Sequence, residues 1–166
     1  RSIRDSEMYR LNFSNEDFNI DTSIITEEAL RFPPSYMKFE KNKAYNERAF
    51  KYLENRGIGW DILDRFNIGY TSYQEYDKKS THRIIIPSYD VYGEINYWVG
   101  RDYLMNDKRV KYDNPKVEKK NIIFNEEKIQ WDADITLVEG PFDHIVVPNS
   151  IPLLGKSLND GYKVYW

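Results

Sequence analysis

The chain is predicted to be an α/β protein, a mixed α/β N-terminal lobe followed by an incomplete βαβ unit. Three stretches carry this expectation. Residues 46–66 place apolar side chains at helical spacing, residues 83–101 switch to the two-residue period of strands around a turn, and residues 135–154 run strand, turn, helix, strand. The implied organisation is a linker or docking arm over 1–45, a lobe over 46–132 and the start of a βαβ unit over 133–166.

The arm is loosely patterned. Asn, Asp, Ser and Glu alternate with isolated Phe, Ile and Tyr, and Pro33-Pro34 ends any helix opened near Thr26. Tyr36-Met37-Lys38-Phe39 reads either as an edge strand or as an irregular arm. Order begins at Asn46, a good N-cap, with Ala49, Phe50 and Leu53 on one helical face and Gly57 as the stop. A second helix is expected from Trp60 to Phe66, with Ile62, Leu63 and Phe66 inward and an end near Gly69. The pair superficially suggests a helix-turn-helix DNA reader. The second helix, however, sets Asp61 and Asp64 against the single Arg65, a poor face for a phosphate-lined groove, so packing is its expected role.

Arg83-Ile84-Ile85-Ile86-Pro87 is a compact β-branched run, hence a buried strand ended by proline. Tyr89–Gly93 is a turn, and Glu94 to Arg101 alternates with Ile95, Tyr97 and Val99 on one face. Arg83 and Arg101 stand at the ends of this hairpin. Between 101 and 120 there are seven cations against four acids, so the segment is locally +3 in a chain of net charge −3. Basic residues interleaved with Tyr103 and Tyr112 suit a single strand or a triphosphate, with charge for phosphates and flat faces for bases. A solvated lysine-rich loop is the plain alternative.

Ile135-Thr136-Leu137-Val138 reads as an interior strand of a parallel sheet. It delivers Glu139 to the carboxyl edge, where ligands collect in such sheets. Gly140 turns the chain, Pro141 suits the first helical position, and Asp143 falls in the first helical turn, where the dipole favours it. Two carboxylates four positions apart across this turn can converge on one hard cation, which makes Mg²⁺ the natural candidate. The other reading is an ordinary strand-to-helix turn with solvated acids. The helix is expected over Asp143–Val147, stopped by Pro148, and the second strand over Ile151–Leu154. Lys156, after Gly155, either contacts phosphate or is simply exposed; a lone lysine after a glycine is not a P-loop.

Composition narrows the class. The chain has 166 residues, 40% hydrophobic and 16% aromatic, with 14 Tyr, enough material for a core. No stretch approaches the ~20 apolar residues that span a bilayer. With no cysteine and two histidines, neither disulfides nor a zinc site of the usual ligands can be assembled within the chain; this agrees with a cytoplasmic setting. His82 is expected in a loop, and His144 on an exposed helix position, although it could also brush a metal at Asp143. The net charge argues mildly against a generic nucleic-acid coat. The first residue is arginine, so an upstream part is expected.

Three landmarks occur in order. They are Tyr52-Leu53-Glu54-Asn55-Arg56-Gly57-Ile58 with Phe66-Asn67-Ile68-Gly69-Tyr70; Arg83–Pro87 with Gly93-Glu94-Ile95, Gly100-Arg101 and Lys111-Tyr112-Asp113-Asn114-Pro115; and Val138–Asp143 with Leu154-Gly155-Lys156-Ser157. The set resembles the RNA-polymerase core of DnaG-type DNA primases of bacteria and their phages, over roughly residues 46–158, and so implies a Toprim fold for the βαβ unit.

The resemblance implies a nucleotidyltransferase that makes short RNA primers from ribonucleoside triphosphates on single-stranded DNA during replication. Glu139 matches the catalytic glutamate and Asp143 the second acid of the first acidic motif, the pair holding Mg²⁺ or Mn²⁺. Arg83, Arg101 and Lys111 match basic groove positions, and Lys111-Tyr112-x-Asn114 a signature in substrate contact. It further implies a replicative helicase, fused or separate, and a bacterial or phage-infected cytoplasm. The compact Asn/Tyr/Lys-rich style and short connections suggest a phage.

Two features depart from the pattern. Family members carry a cysteine/histidine zinc ribbon before the core, and an Asp-x-Asp motif on a later strand of the Toprim unit. Here there is no cysteine, and Asn159-Asp160-Gly161 comes too early for the second motif. Either the chain is therefore an excised or naturally split piece, or a second chain supplies the zinc ribbon and the rest of the Toprim unit; in both cases this polypeptide alone is expected to be inactive. Two other functions remain open: another Toprim enzyme (a topoisomerase or nuclease), or a non-catalytic single-strand-binding piece of a replisome.

Overall fold

The computed structural model describes residues 30–155 except 74, 77, 120 and 121. Lys156 and the carboxyl-terminal residues that follow it lie outside this range, as do the first 29 residues.

The sheet of the N-terminal lobe starts in the expected arm. Strand β1 (Tyr36–Lys38) takes the edge-strand alternative. After a 3₁₀ turn at Ala44–Asn46, helix α1 spans Glu47–Glu54 and buries Ala49, Tyr52 and Leu53. Asn46 occupies the N-cap position but does not cap with its side chain. It is buried, and its Nδ2 donates to the Glu40 carbonyl at 2.7 Å, tying the preceding loop instead. Gly57 has φ +72° and lets Ile58 N–H return to the Leu53 carbonyl at 3.1 Å, closing the helix end. Helix α2 (Trp60–Arg65) turns Leu63 inward, followed by the buried Phe66.

Strand β2 (Gly69–Thr71) was not legible, because three residues are too few to show alternation. Gly69, expected only as a stop, opens it. A Cβ there would sit 2.5 Å from the Met37 carbonyl oxygen, so the close approach of β1 requires glycine. Strands β3 (Arg83–Tyr89) and β4 (Ile95–Asp102) form the expected hairpin in the register Ile84↔Arg101, Ile86↔Val99. Pro87 does not end β3; the strand continues past it to a bulge at Ser88/Tyr89. A short β5 (Tyr112–Asp113) completes a five-stranded antiparallel sheet in the order β1-β2-β3-β4-β5. Ile84, Ile86, Tyr97, Val99 and Phe124 form the core with the α1 and α2 side chains. The opposite face holds Trp98, whose Nε1 donates to the Arg31 carbonyl at 3.1 Å.

The βαβ unit comprises β6 (Thr136–Val138), α3 (Pro141–His144, with Pro141 at its first turn) and β7 (Ser150–Pro152), the strands parallel. Its order and pairing match expectation, but the burial of β6 does not. Thr136 and Leu137 are exposed, Leu137 by 43%, where an interior strand would be covered. Among the described residues β6 pairs only with β7, so one of its edges meets no strand, and apolar composition alone could not reveal that.

His144 is also corrected: it is buried rather than exposed. Its ring meets Phe66 and Phe124 edge-on, with centroids at 5.5 and 5.7 Å. Ser150 Oγ donates to the Val147 carbonyl and so accepts from His144 Nδ1 at 3.1 Å, while Asn125 Nδ2 donates to His144 Nε2 at 3.3 Å. Asn125 in turn is held by β3: its N–H donates to Ser88 Oγ at 2.9 Å, and its Oδ1 accepts from Tyr89 N–H at 3.3 Å. This chain of bonds locks the βαβ unit to the sheet lobe. His82 lies in a turn at φ +56° as expected, half-buried.

Candidate functional site

Where the two lobes meet there is a cleft of about 520 Å³. One wall is the exit of β4 and the segment beyond it, contributing Arg101, Lys111, Tyr112, Asn114 and Lys119. The other is the β6–α3 turn, contributing Glu139 and Asp143, both exposed. Three segments far apart in sequence thus bring five of the seven expected residues to one opening.

The geometry follows from local structure. Glu139 lies just past the carboxyl end of β6, and Asp143 in the first turn of α3 on the far side of the Gly140-Pro141 turn. Gly100 sits opposite Asp113, and a Cβ there would lie 2.5 Å from the Asp113 carbonyl, so glycine lets β5 close onto β4. That closure sets Lys111 and Asn114 beside Arg101. Arg101 Nε donates to Tyr52 Oη at 3.0 Å, and its guanidinium stands 4.9 Å from the centroid of the half-exposed Tyr112 ring. Lys111 Nζ approaches the same ring at 5.7 Å. Asn114 Oδ1 accepts weakly from Gly100 N–H at 3.4 Å, which leaves its NH₂ as the group able to donate to a ligand.

Arg56 also lines the cleft and was not singled out as a site residue. Its guanidinium lies 4.7 Å from the Tyr52 ring and 5.3 Å from the Phe142 ring. The signal available in sequence was only an arginine before the helix-ending Gly57. Among the described residues Arg56, Arg101, Lys111 and Lys119 form no salt bridge, and neither do Glu139 and Asp143. Among the described residues the cleft therefore holds four cations and two carboxylates outside any salt bridge. The basic segment divides between its two readings, since Arg109 pairs with Asp102 at 2.9 Å while Arg101, Lys111 and Lys119 face the opening.

Arg83 is the correction. It is 2% exposed and lines no part of the cleft. Its guanidinium donates to the carbonyls of Lys79 (3.1 Å), Val110 (2.5 Å) and Lys111 (3.3 Å). Placed at the start of β3, it is spent as a strut under the 110–111 backbone, and so bears on the cleft only by supporting Lys111. Lys156 lies outside the described residues.

The two-part architecture, an antiparallel sheet with helices joined to a parallel βαβ unit with acids at its carboxyl edge, is an α/β fold also seen in solved structures. It is the fold of DnaG primase catalytic cores. The E. coli primase catalytic core is 20% identical at a TM-score of 0.61, the match covering 74% of this chain and 53% of that one. A DnaG primase catalytic domain bound to single-stranded DNA gives 21% and 0.61, covering 75% and 54%. The Aquifex aeolicus primase (zinc-binding and RNA-polymerase domains) gives 22% and 0.60, covering 72% and 40%. The chain spans about half the length of the primase cores it matches. No family model and no curated protein sequence matches it. Among the described residues no helix is long and apolar enough to cross a membrane.

Proposed function

We propose that this chain carries the polymerising cleft of a DNA primase, a nucleotidyltransferase that joins ribonucleotides on a single-stranded DNA template. The observation that carries the reading is the convergence, in a fold shared with primase cores, of Arg56, Arg101, Lys111 and Lys119 opposite Glu139 and Asp143. The basic wall contacts phosphates of template and triphosphate, and Tyr112 offers a flat face for a base.

The donor set suits Mg²⁺ (or Mn²⁺) delivered with substrate. Among the described residues no group of three His, Cys, Asp or Glu side chains could cage a metal. Mg²⁺ keeps waters and is commonly held by one or two carboxylates plus substrate phosphates. Held by Glu139 and Asp143, such an ion would stabilise charge on the transferring phosphoryl group. Arg101, fixed by Tyr52, and Lys111, supported from below by Arg83, hold the triphosphate and template in register with those carboxylates. A replicative helicase belongs to the same reading.

The test is template-directed ribonucleotide incorporation in a reconstituted replication assembly, comparing wild type with E139Q, alongside single-stranded DNA binding. Loss of incorporation with DNA binding retained is the expected result. Unchanged incorporation in E139Q would overturn the reading in favour of a non-catalytic single-strand-binding role.

A further inference from the structure

Tyr52 meets two of the cleft's arginines with different parts of its side chain. The residue is buried on the core face of α1, yet it lines the cleft. Its hydroxyl accepts from Arg101 Nε at 3.0 Å, and its ring face carries the Arg56 guanidinium at 4.7 Å. Arg56 is brought there by the closing turn of α1, where its N–H donates to the Leu53 carbonyl at 2.9 Å. The Phe142 ring of α3 stands at 76° to that of Tyr52, with centroids 6.4 Å apart, so Arg56 lies in the corner between the two rings.

The contact with Arg101 decides which donors remain. In a guanidinium, the Nε–H bond and one N–H bond of the neighbouring Nη point the same way, the fork that grips two oxygens side by side. Tyr52 Oη fills only the Nε half of that fork, and among the described residues neither Nη of Arg101 donates to an acceptor. An oxygen taken up by the adjacent Nη comes to lie next to Tyr52 Oη, at about the ~2.7 Å spacing of an O–H···O bond. A phenol has one proton to give. Tyr52 spends a lone pair on Arg101, and among the described residues its proton has no acceptor. Accepting from a cation also polarises the O–H bond, which makes it a stronger donor.

We infer that Tyr52 is a phosphate-binding residue of the cleft, its hydroxyl donating to the same phosphate oxygen that the adjacent Nη of Arg101 holds. This rests on the reading of the cleft as a site for nucleic acid and nucleotide. The phosphate belongs either to a DNA strand or to a nucleoside triphosphate, and the two are probed separately.

Y52F removes one oxygen and leaves the ring against Arg56. The 166-residue chain is compared as wild type, Y52F, R101A, Y52F/R101A and K111A. Binding of fluorescein-labelled oligothymidylate is read by anisotropy over a salt series, binding of ATP with Mg²⁺ by calorimetry, and folding by urea midpoint. Y52F is expected to keep the wild-type midpoint and to lose on the order of 10-fold in affinity, as for a hydrogen bond to a charged group. A loss on DNA assigns the phosphate to the strand, a loss on ATP assigns it to the triphosphate, and a loss on both assigns it to a subsite they share. On DNA the log–log salt slope stays at the wild-type value, because a neutral hydroxyl releases no counterion. In the R101A background Y52F costs nothing further. Unchanged affinity for both probes overturns the inference, and so does an additive loss in the double variant. A slope reduced by ~0.7 in Y52F overturns it too, since Arg101 would then have left its phosphate and Tyr52 would be a prop for that side chain only. K111A tells the two readings apart. If K111A weakens DNA binding and Y52F weakens neither probe, the cleft stands and the role of Tyr52 falls; if wild type binds neither probe, or K111A and Y52F are both without effect, the cleft reading falls with it.

Discussion

His144 makes the joint between the two lobes sensitive to acid, and the size of the effect follows from its surroundings. Burial, aided by the nearby Lys128 cation and opposed by its bond to Ser150, pushes the imidazole from its ordinary 6.5 down to about 4. The folded protein therefore resists a proton that the unfolded chain accepts. Above pH 6.5 the ring is neutral in both states. Between 6.5 and about 4 the unfolded state binds more protons, and stability falls as pH falls, by at most ~1.4 kcal/mol per pH unit. The total is on the order of 3 kcal/mol, a large share of the 5–15 kcal/mol typical of a domain.

A direct assay is urea unfolding at pH 7, 6, 5 and 4.5, followed by the fluorescence of the four tryptophans. H144Q, whose side chain can still accept from Asn125, isolates the term from the carboxylates and from His82, which burial, with Arg109 and Arg48 nearby, also shifts downward. The variant is expected to be less stable at pH 7 by ~1–3 kcal/mol and to show a flatter pH dependence between 6.5 and 4.5. If wild type and H144Q lose stability in parallel across that window, the buried neutral imidazole is not the source and the reasoning is wrong.

Three further outcomes follow from the cleft. K111A should weaken single-stranded DNA binding and reduce the log–log salt slope by ~0.7, as for one phosphate contact, without changing urea stability. G100A should cost ~1–3 kcal/mol by forcing β5 off β4, where its new methyl meets the Asp113 carbonyl, and should weaken DNA binding in the same measurement. R83M should cost roughly 2–4 kcal/mol in chemical denaturation, since it leaves the carbonyls of Lys79, Val110 and Lys111 without their buried donor. Because Arg83 acts through the 110–111 backbone, R83M should also weaken DNA binding, whereas a cleft contact such as Lys111 can be removed without destabilisation.

Elements that announce themselves through short-range period were legible before any coordinates. The face of Ala49 and Leu53, the stop at Gly57, the Arg83–Arg101 hairpin and the strand–turn–helix around Glu139 depend on neighbours within one or two turns, and the structure has all of them. The carboxylate pair was legible for the same reason, because Glu139 and Asp143 are placed by one local turn.

What the linear pattern could not decide was which charges and apolar residues find partners. Arg83 and Arg101 flank the same hairpin and look alike in sequence, yet one is consumed by backbone carbonyls folded back from residues 79, 110 and 111, and the other opens into the cleft. Leu137 reads as core but lies on a strand that, among the described residues, is paired along one edge only, and His144 reads as surface but is enclosed by Phe66, Phe124 and Asn125. Arg56 became a cleft residue only when α3 carried Phe142 against it. Periodicity is a property of the backbone over a few residues, whereas burial and charge pairing depend on segments tens of residues apart, and those distances are set only when the two lobes close on each other.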